Sequence, residues 1–259
     1  MREADRRTLL GSVWLRDEPE PTRNRLSRED IVAAAIRVLD RDGLDTFSMR
    51  AMAAELGTAA TSALYWRIAT KNDLLELVVD TILGDALAEA SERDPAVDDA
   101  PVRTGGSLRT TGDRRSGADW RAQVTAVAQA AYRAMWEHPW AAQLLPTHAG
   151  LGPNYQAWTD RLQTILSEAG FKGTHLDSAV SAIFHYLVGS AVTDSAWLTV
   201  VRRSGMNERR WASKSAQLMG VDATHLAAYL NRESTAGPEA RFASGLRVIL
   251  VGLRPRQIS

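Results

Sequence analysis

No cysteine occurs among the 259 residues. Its absence excludes disulfides, thiolate zinc sites and cysteine nucleophiles together, suits a reducing compartment, and leaves only His, Asp and Glu to ligate any metal. Net charge is also missing, since 31 basic side chains balance 31 acidic ones. Nucleic-acid binders are commonly basic, so this total taken alone argues against DNA. Long apolar runs are absent: Val248 to Leu253 is among the longest, far short of the roughly 18 to 20 residues that span a bilayer. The first fifteen residues hold Arg2, Glu3, Asp5, Arg6 and Arg7 and no secretory apolar stretch, so a cytoplasmic protein away from membranes is expected. No strand-like alternation exceeds four residues, and there is no βαβ unit or internal repeat. Nucleophile motifs, phosphate-cradling glycine loops, paired carboxylates and His–x–x–x–His pairs are missing too, so no enzyme activity, metal or cofactor is expected.

What remains is 45% hydrophobic sequence, enough for a core, arranged with helical periodicity. Residues 1–24 carry charge, Pro19 and Pro21 and little apolar pattern, which predicts a flexible arm with at most a brief turn at Val13 to Leu15. Ser27 and Asp30 predict a capping box opening a helix through Ile31, Ala35, Val38 and Leu39 to a stop at Gly43. A short helix follows from Ser48 to Gly57, then another over Thr58 to Trp66. Thr70 and Asp73 form a second box, starting a long helix through Leu74, Val78 and Ile82 to about Glu89. Residues 91–117, rich in glycine, proline and charge, predict a disordered linker. Beyond it, helices are expected near 119–136, 138–145, 153–169, 174–203, 207–219, 222–231 and 238–252, making the chain all-α.

Three short helices joined at Gly43 and Gly57 are the pattern of a helix-turn-helix unit. The face expected to enter a major groove, from Thr58 through Thr61 and Ser62 to Ala63, is small and polar and suits close approach to base edges and thymine methyls. Arg50 has the reach for a guanine edge or a phosphate, and Tyr65, Trp66 and Arg67 offer donors to phosphate oxygens. Lys71 and the helix start beside it add an anion site. Residues 1–90 hold 12 bases and 16 acids, yet Phe47 to Asn72 holds three bases and one acid, and Arg23, Arg25 and Arg28 cluster just upstream. The small basic sites therefore sit in an acidic setting, and neutrality does not exclude DNA.

The stretch SREDIVAAAIRVLDRDGLDTFSMRAMAAELG, followed by LYWRIATKNDLLELVVD, closely resembles the DNA-binding domain of the tetracycline-repressor (TetR) family over residues 27–80. The resemblance implies that Ser48 and Arg50 contact DNA at the start of the second helix. It implies recognition-helix roles for Thr61, Ser62, Tyr65, Trp66 and Arg67, and a phosphate contact for Lys71. Gly57 and Tyr65 are eight residues apart where the family has seven, so the register of Thr58 to Ser62 toward the bases stays open by one position.

Residues 119–200, through Asp119-Trp120-Arg121 and Glu137-His138-Pro139-Trp140, are similar to the C-terminal domain of the tetracycline-repressor subgroup. This implies a homodimer with a small-molecule pocket. Two apolar stripes are the candidate dimer helices: Ala179, Ile183, Tyr186, Leu187, Ser190, Ala191 and Asp194, and Phe242, Leu246, Ile249, Leu250 and Leu253. The alternative is that both complete a monomer core. An aromatic set containing Trp136, Trp158 and Phe184, with His185, is the candidate pocket for a largely apolar or aromatic effector, plain core being the alternative. The expected layout is an arm over 1–24, a helix-turn-helix domain over 25–73, and a ligand-binding and dimerisation domain over 74–256. The function expected is a homodimeric repressor that binds a palindromic operator and is released by a small molecule. The rival is a helical small-molecule-binding protein or enzyme with a vestigial helix-turn-helix.

Overall fold

The computed structural model describes residues 12–15, 27–57, 64, 68–92, 119–148, 150–222, 224, 226 and 237–255. Among them every regular element is helical. Helix α1, Arg28–Asp42, opens on the expected box: the Ser27 hydroxyl accepts from the Asp30 amide and the Asp30 carboxylate accepts from the Ser27 amide, both at 3.0 Å. Ile31, Ala34, Ala35, Val38 and Leu39 line its buried face. It stops at Gly43, whose φ of +80° is a conformation that side chains with a Cβ rarely adopt. Helix α2, Met49–Glu55, is capped by the Ser48 hydroxyl and buries Met49, Met52 and Ala53. Seven residues cannot hold a helix alone, so packing on α1 sustains it.

Helix α3, Lys71–Glu92, carries the reciprocal bonds between Thr70 and Asp73 at its start and runs past the expected end at Glu89. Ser91 and Glu92 therefore belong to a helix and not to a linker; residues 93–118 lie outside the described residues. Residues 73–80 of α3 are buried without interruption, which requires neighbours on all sides. These neighbours are α1, α4 (Asp119–Glu137), α5 (Pro139–Leu144) and α6 (Pro153–Glu168). Helix α7, Gly173–Arg203, packs on α4, α5, α6 and α9 (Pro238–Gly252), and α8 spans Glu208–Met219. Of the helix expected over 222–231, Asp222, Thr224 and Leu226 are described; the latter two are helical and Asp222 is not.

The proposed dimer stripes need correcting. Ala179, Ile183, Leu187 and Ala191 follow at intervals of four, so they share one face of α7, and that face is buried in the protomer's own core. Phe242, Leu246 and Leu250 of α9 do the same. The outer face of α7 carries His185, Gly189, Thr193 and Ala196, and that of α9 carries Ser244, Val248 and Val251, the valines being 74% and 59% exposed. Sequence periodicity detected that both helices are apolar around much of their circumference, but it assigned the wrong face outward.

Candidate DNA interface and sensor core

The reading head presents Ser48 and Arg50, both exposed, at the first turn of α2. The Ser48 hydroxyl already accepts the Ala51 amide at 3.2 Å, which leaves its own proton to donate to a phosphate oxygen. Lys71 is more committed than expected: its ammonium donates to the Phe47 carbonyl at 2.6 Å and lies 5.4 Å over the Phe47 ring. It thus braces α3 against the turn before α2, and this bond takes one of its three N–H donors. Of the amides at the start of α3, that of Asp73 is bonded to the Thr70 hydroxyl, and that of Thr70 to the Asp73 carboxylate. Thr58, Thr61, Ser62, Tyr65, Trp66 and Arg67 lie outside the described residues, as do Arg23 and Arg25. Leu64, between them, is helical and fully buried in the core.

The head is tied to the helical body by polar contacts that sequence patterning did not reveal. Asp40, near the end of α1, accepts from the Trp140 indole and pairs with Nδ1 of His138, each at 2.7 Å. His138 therefore reaches across to the head; its side chain does not cap α5. Arg203, at the end of α7, reaches Asp45 in the turn after α1. Replacing Asp40 with Ala strands the buried Trp140 N–H, at a cost of about 1–2 kcal/mol and a Tm drop on the order of 5 °C in a thermal melt.

Three acids of α3 are buried: Asp73 in its cap, and Glu76 and Asp80 with dedicated partners in the body. Asp80 accepts the amides of Tyr155 and Asn154, capping α6; burial raises its pKa, against the pull of those amides. Gly152 is required here, because any Cβ would drive into the Asp80 carboxylate. Glu76 accepts from the Ser12 hydroxyl and the Val13 amide. The sequence signal was available: acids at 73, 76 and 80 interrupt an apolar run and lie near one side of the helix.

Of the four pocket candidates, Phe184 meets Trp158 and also, at 6.0 Å between centroids, its neighbour His185. Trp158 is fully buried and lies edge-on to half-buried Phe184, with centroids 6.2 Å apart; Phe184 is in turn edge-on to Tyr155 at 5.8 Å. Trp136 is half-buried against the same core from α4. His185 is exposed, so it does not line the core with the other three. The Trp158 indole N–H is buried with no hydrogen-bond partner among the described residues, a cost of about 1–3 kcal/mol unless an acceptor arrives. Among the described residues no helix is long and apolar enough to cross a membrane.

A short-helix reading head, continued by one buried helix into an aromatic-cored bundle, defines a DNA-binding regulator with a sensor body. Residues 31–78 match the family model of bacterial regulatory proteins of the tetR family, and residues 114–256 match the tetracyclin repressor-like C-terminal domain. The chain belongs to the TetR family and is a ligand-responsive, DNA-binding transcriptional regulator. It is similar to an HTH-type transcriptional regulator of Saccharopolyspora erythraea, 34% identical over 72% of this chain and 69% of that one. It is also similar to the HTH-type transcriptional repressor DrrR1 of Streptomyces coeruleorubidus, 30% identical over 91% of this chain and 78% of the relative. The solved structure of the Streptomyces coelicolor TetR regulator SCO7222 superposes with a TM-score of 0.61 at 25% identity, covering 88% and 97% of the two chains.

Proposed function

We propose that the protein is a cytoplasmic homodimeric repressor whose two heads grip a palindromic operator and are released by a largely aromatic small molecule carrying a hydrogen-bond acceptor. The observation that carries this reading is α3: one rigid helix starts at the base of the head, where Lys71 holds Phe47, and ends inside the body. An effector that favours one packing of the body tilts both heads together, and its differential affinity for the two packings drives release. In this reading Ser48, Arg50, Thr58, Thr61, Ser62, Tyr65, Trp66, Arg67 and Lys71 make the DNA contacts. Trp136, Trp158 and Phe184 line the effector site, and the orphaned Trp158 N–H supplies its hydrogen bond. The layout remains an arm, a head over 25–73 and a sensor over 74–256. The outer faces of α7 and α9 pair the two copies, with exposed Val248 and Val251 as apolar contacts.

The test is a salt titration of binding to a duplex isolated by selecting a random DNA pool on the protein. With about six phosphates contacted, affinity falls by roughly a thousandfold between 50 and 200 mM salt. Weak binding to every sequence at every salt concentration refutes the reading in favour of a vestigial head.

A further inference from the structure

The segment Ser12–Leu15 precedes the head in sequence yet is seated on the helix that the head shares with the sensor. Ser12 is buried, and its hydroxyl donates to Glu76 at 2.6 Å; the Val13 amide donates to the same oxygen at 3.1 Å. Glu76 is itself buried on α3, and the bond from Ser12 is short and charge-assisted, the strong kind for a neutral donor. The next residue turns to the head: the Trp14 ring lies 5.4 Å from the Arg28 guanidinium, at the first turn of α1. Together with Arg28, Trp14 borders a cleft of about 390 Å³, bounded also by Val32 and Ile36 of α1, Asp80 of α3 and Asn154 of α6. Elsewhere the head packs on α3 and is tied to the body through Asp40 and Asp45; at this cleft it is the four-residue segment that spans α3 and α1.

We propose that Ser12–Leu15 is an intramolecular latch that fixes the angle of the reading head on the sensor, with Trp14 as a positioning residue for operator recognition. Three helices meet at the cleft, and without a wedge the head has room to rock there within the play that its ties at Asp40 and Asp45 allow. The latch resists this from both sides: Glu76 holds the strap to α3 and Trp14 presses on α1. In a dimer, the spread of each head's angle adds to the spread in the distance between heads. An operator accepts one spacing, so every unlatched orientation lowers the fraction of dimers ready to bind.

The absence of cysteine makes the test direct. Ala54→Cys, on the exposed side of α2, takes one spin label per protomer, and pulsed electron spin resonance then reads the distance between heads in the dimer. The latch predicts that Trp14→Ala and, more mildly, Ser12→Ala broaden that distribution, while Trp14→Phe restores most of its sharpness. Sedimentation and thermal melts verify that each variant remains a folded dimer, and Ser12→Ala serves if Trp14→Ala does not fold. With the selected duplex as probe, Trp14→Ala loses about tenfold in specific affinity and nothing in affinity for random DNA, as expected if only a tenth of dimers remain competent. An unchanged distance distribution overturns the proposal. So does an equal loss on both DNAs, which would make the arm a direct phosphate contact. The distance measurement needs no DNA, so failure of the latch is distinguishable from failure of the repressor reading.

Discussion

Arg50→Ala is expected to weaken binding to the selected operator by roughly 30-fold or more while leaving dimer and fold intact. Arg50 is exposed on the first turn of α2, one helical position past Met49, whose buried side chain sets the register of that turn. Ser48 fixes the start of the helix through its cap, so the direction in which Arg50 leaves the backbone is set by two neighbours and not by the arginine itself. Truncating it removes no core contact, and an exposed substitution of this kind shifts stability by about 0.5 kcal/mol or less. Each lost bidentate base contact costs about 1–3 kcal/mol, and a two-fold dimer loses it twice, giving about 2–6 kcal/mol. Competition gel shifts against the selected duplex and a scrambled one separate base reading from phosphate reading. If Arg50 reads a base, the scrambled duplex is bound as before and specificity relaxes at one symmetric position. If it holds a phosphate, both affinities fall together and the salt slope drops by about two, one for each protomer. Unchanged affinity for both would remove Arg50 from the interface.

Local signals carried most of the fold. Both capping boxes, at Ser27 and at Thr70, form with all their reciprocal bonds, because each is complete within four residues. The glycine at 43 works as a stop for the same reason. Signals that depend on which helix faces which were weaker. The intervals of four in α7 reveal an apolar stripe, but the stripe looks alike whether it meets the protomer's own α4 or a second copy, and the inward choice proved correct. His185 suffered from the same ambiguity: it follows Phe184 in a strongly apolar stretch, yet one step along a helix turns the side chain by about 100°, enough to carry it from the core's edge to solvent. Contacts between distant segments left no pattern to read. Asp40 meets Trp140 a hundred residues away, and Ser12 meets Glu76 at a separation of 64. Only the partner-demanding acids in α3 hinted that something polar must dock there.

Gly245→Val is expected to destabilise the protein by about 3 kcal/mol, lowering Tm on the order of 10 °C, and to weaken the dimer. A Cβ at position 245 falls on the Tyr186 hydroxyl. A tip of this sort can usually swing aside, but Tyr186 is held at both ends. Its hydroxyl donates to the Phe242 carbonyl at 3.0 Å, and its ring stacks on Phe242 with centroids 5.3 Å apart. Phe242 in turn stacks on Tyr132 of α4 at 4.3 Å and 7°, and the Tyr132 hydroxyl bonds Asp194 of α7. Moving Tyr186 therefore disturbs a three-ring column that joins α4, α9 and α7, and the alternative is to push α9 outward. Either response shifts Val248 and Val251, within two turns of Gly245, off the surface proposed to meet the second copy. A double-mutant cycle isolates the cause. Tyr186→Phe alone loses the hydroxyl's bonds to the Phe242 carbonyl and to Ser190, about 1–2 kcal/mol, and it also removes the atom that the new side chain strikes first. The double variant Tyr186→Phe with Gly245→Val should then fall short of the summed losses by at least about 0.5 kcal/mol, as expected for residues in contact. Strict additivity in melts at fixed protein concentration would show that Gly245 tolerates a side chain and that the closeness of α9 to α7 is not what sets the dimer surface.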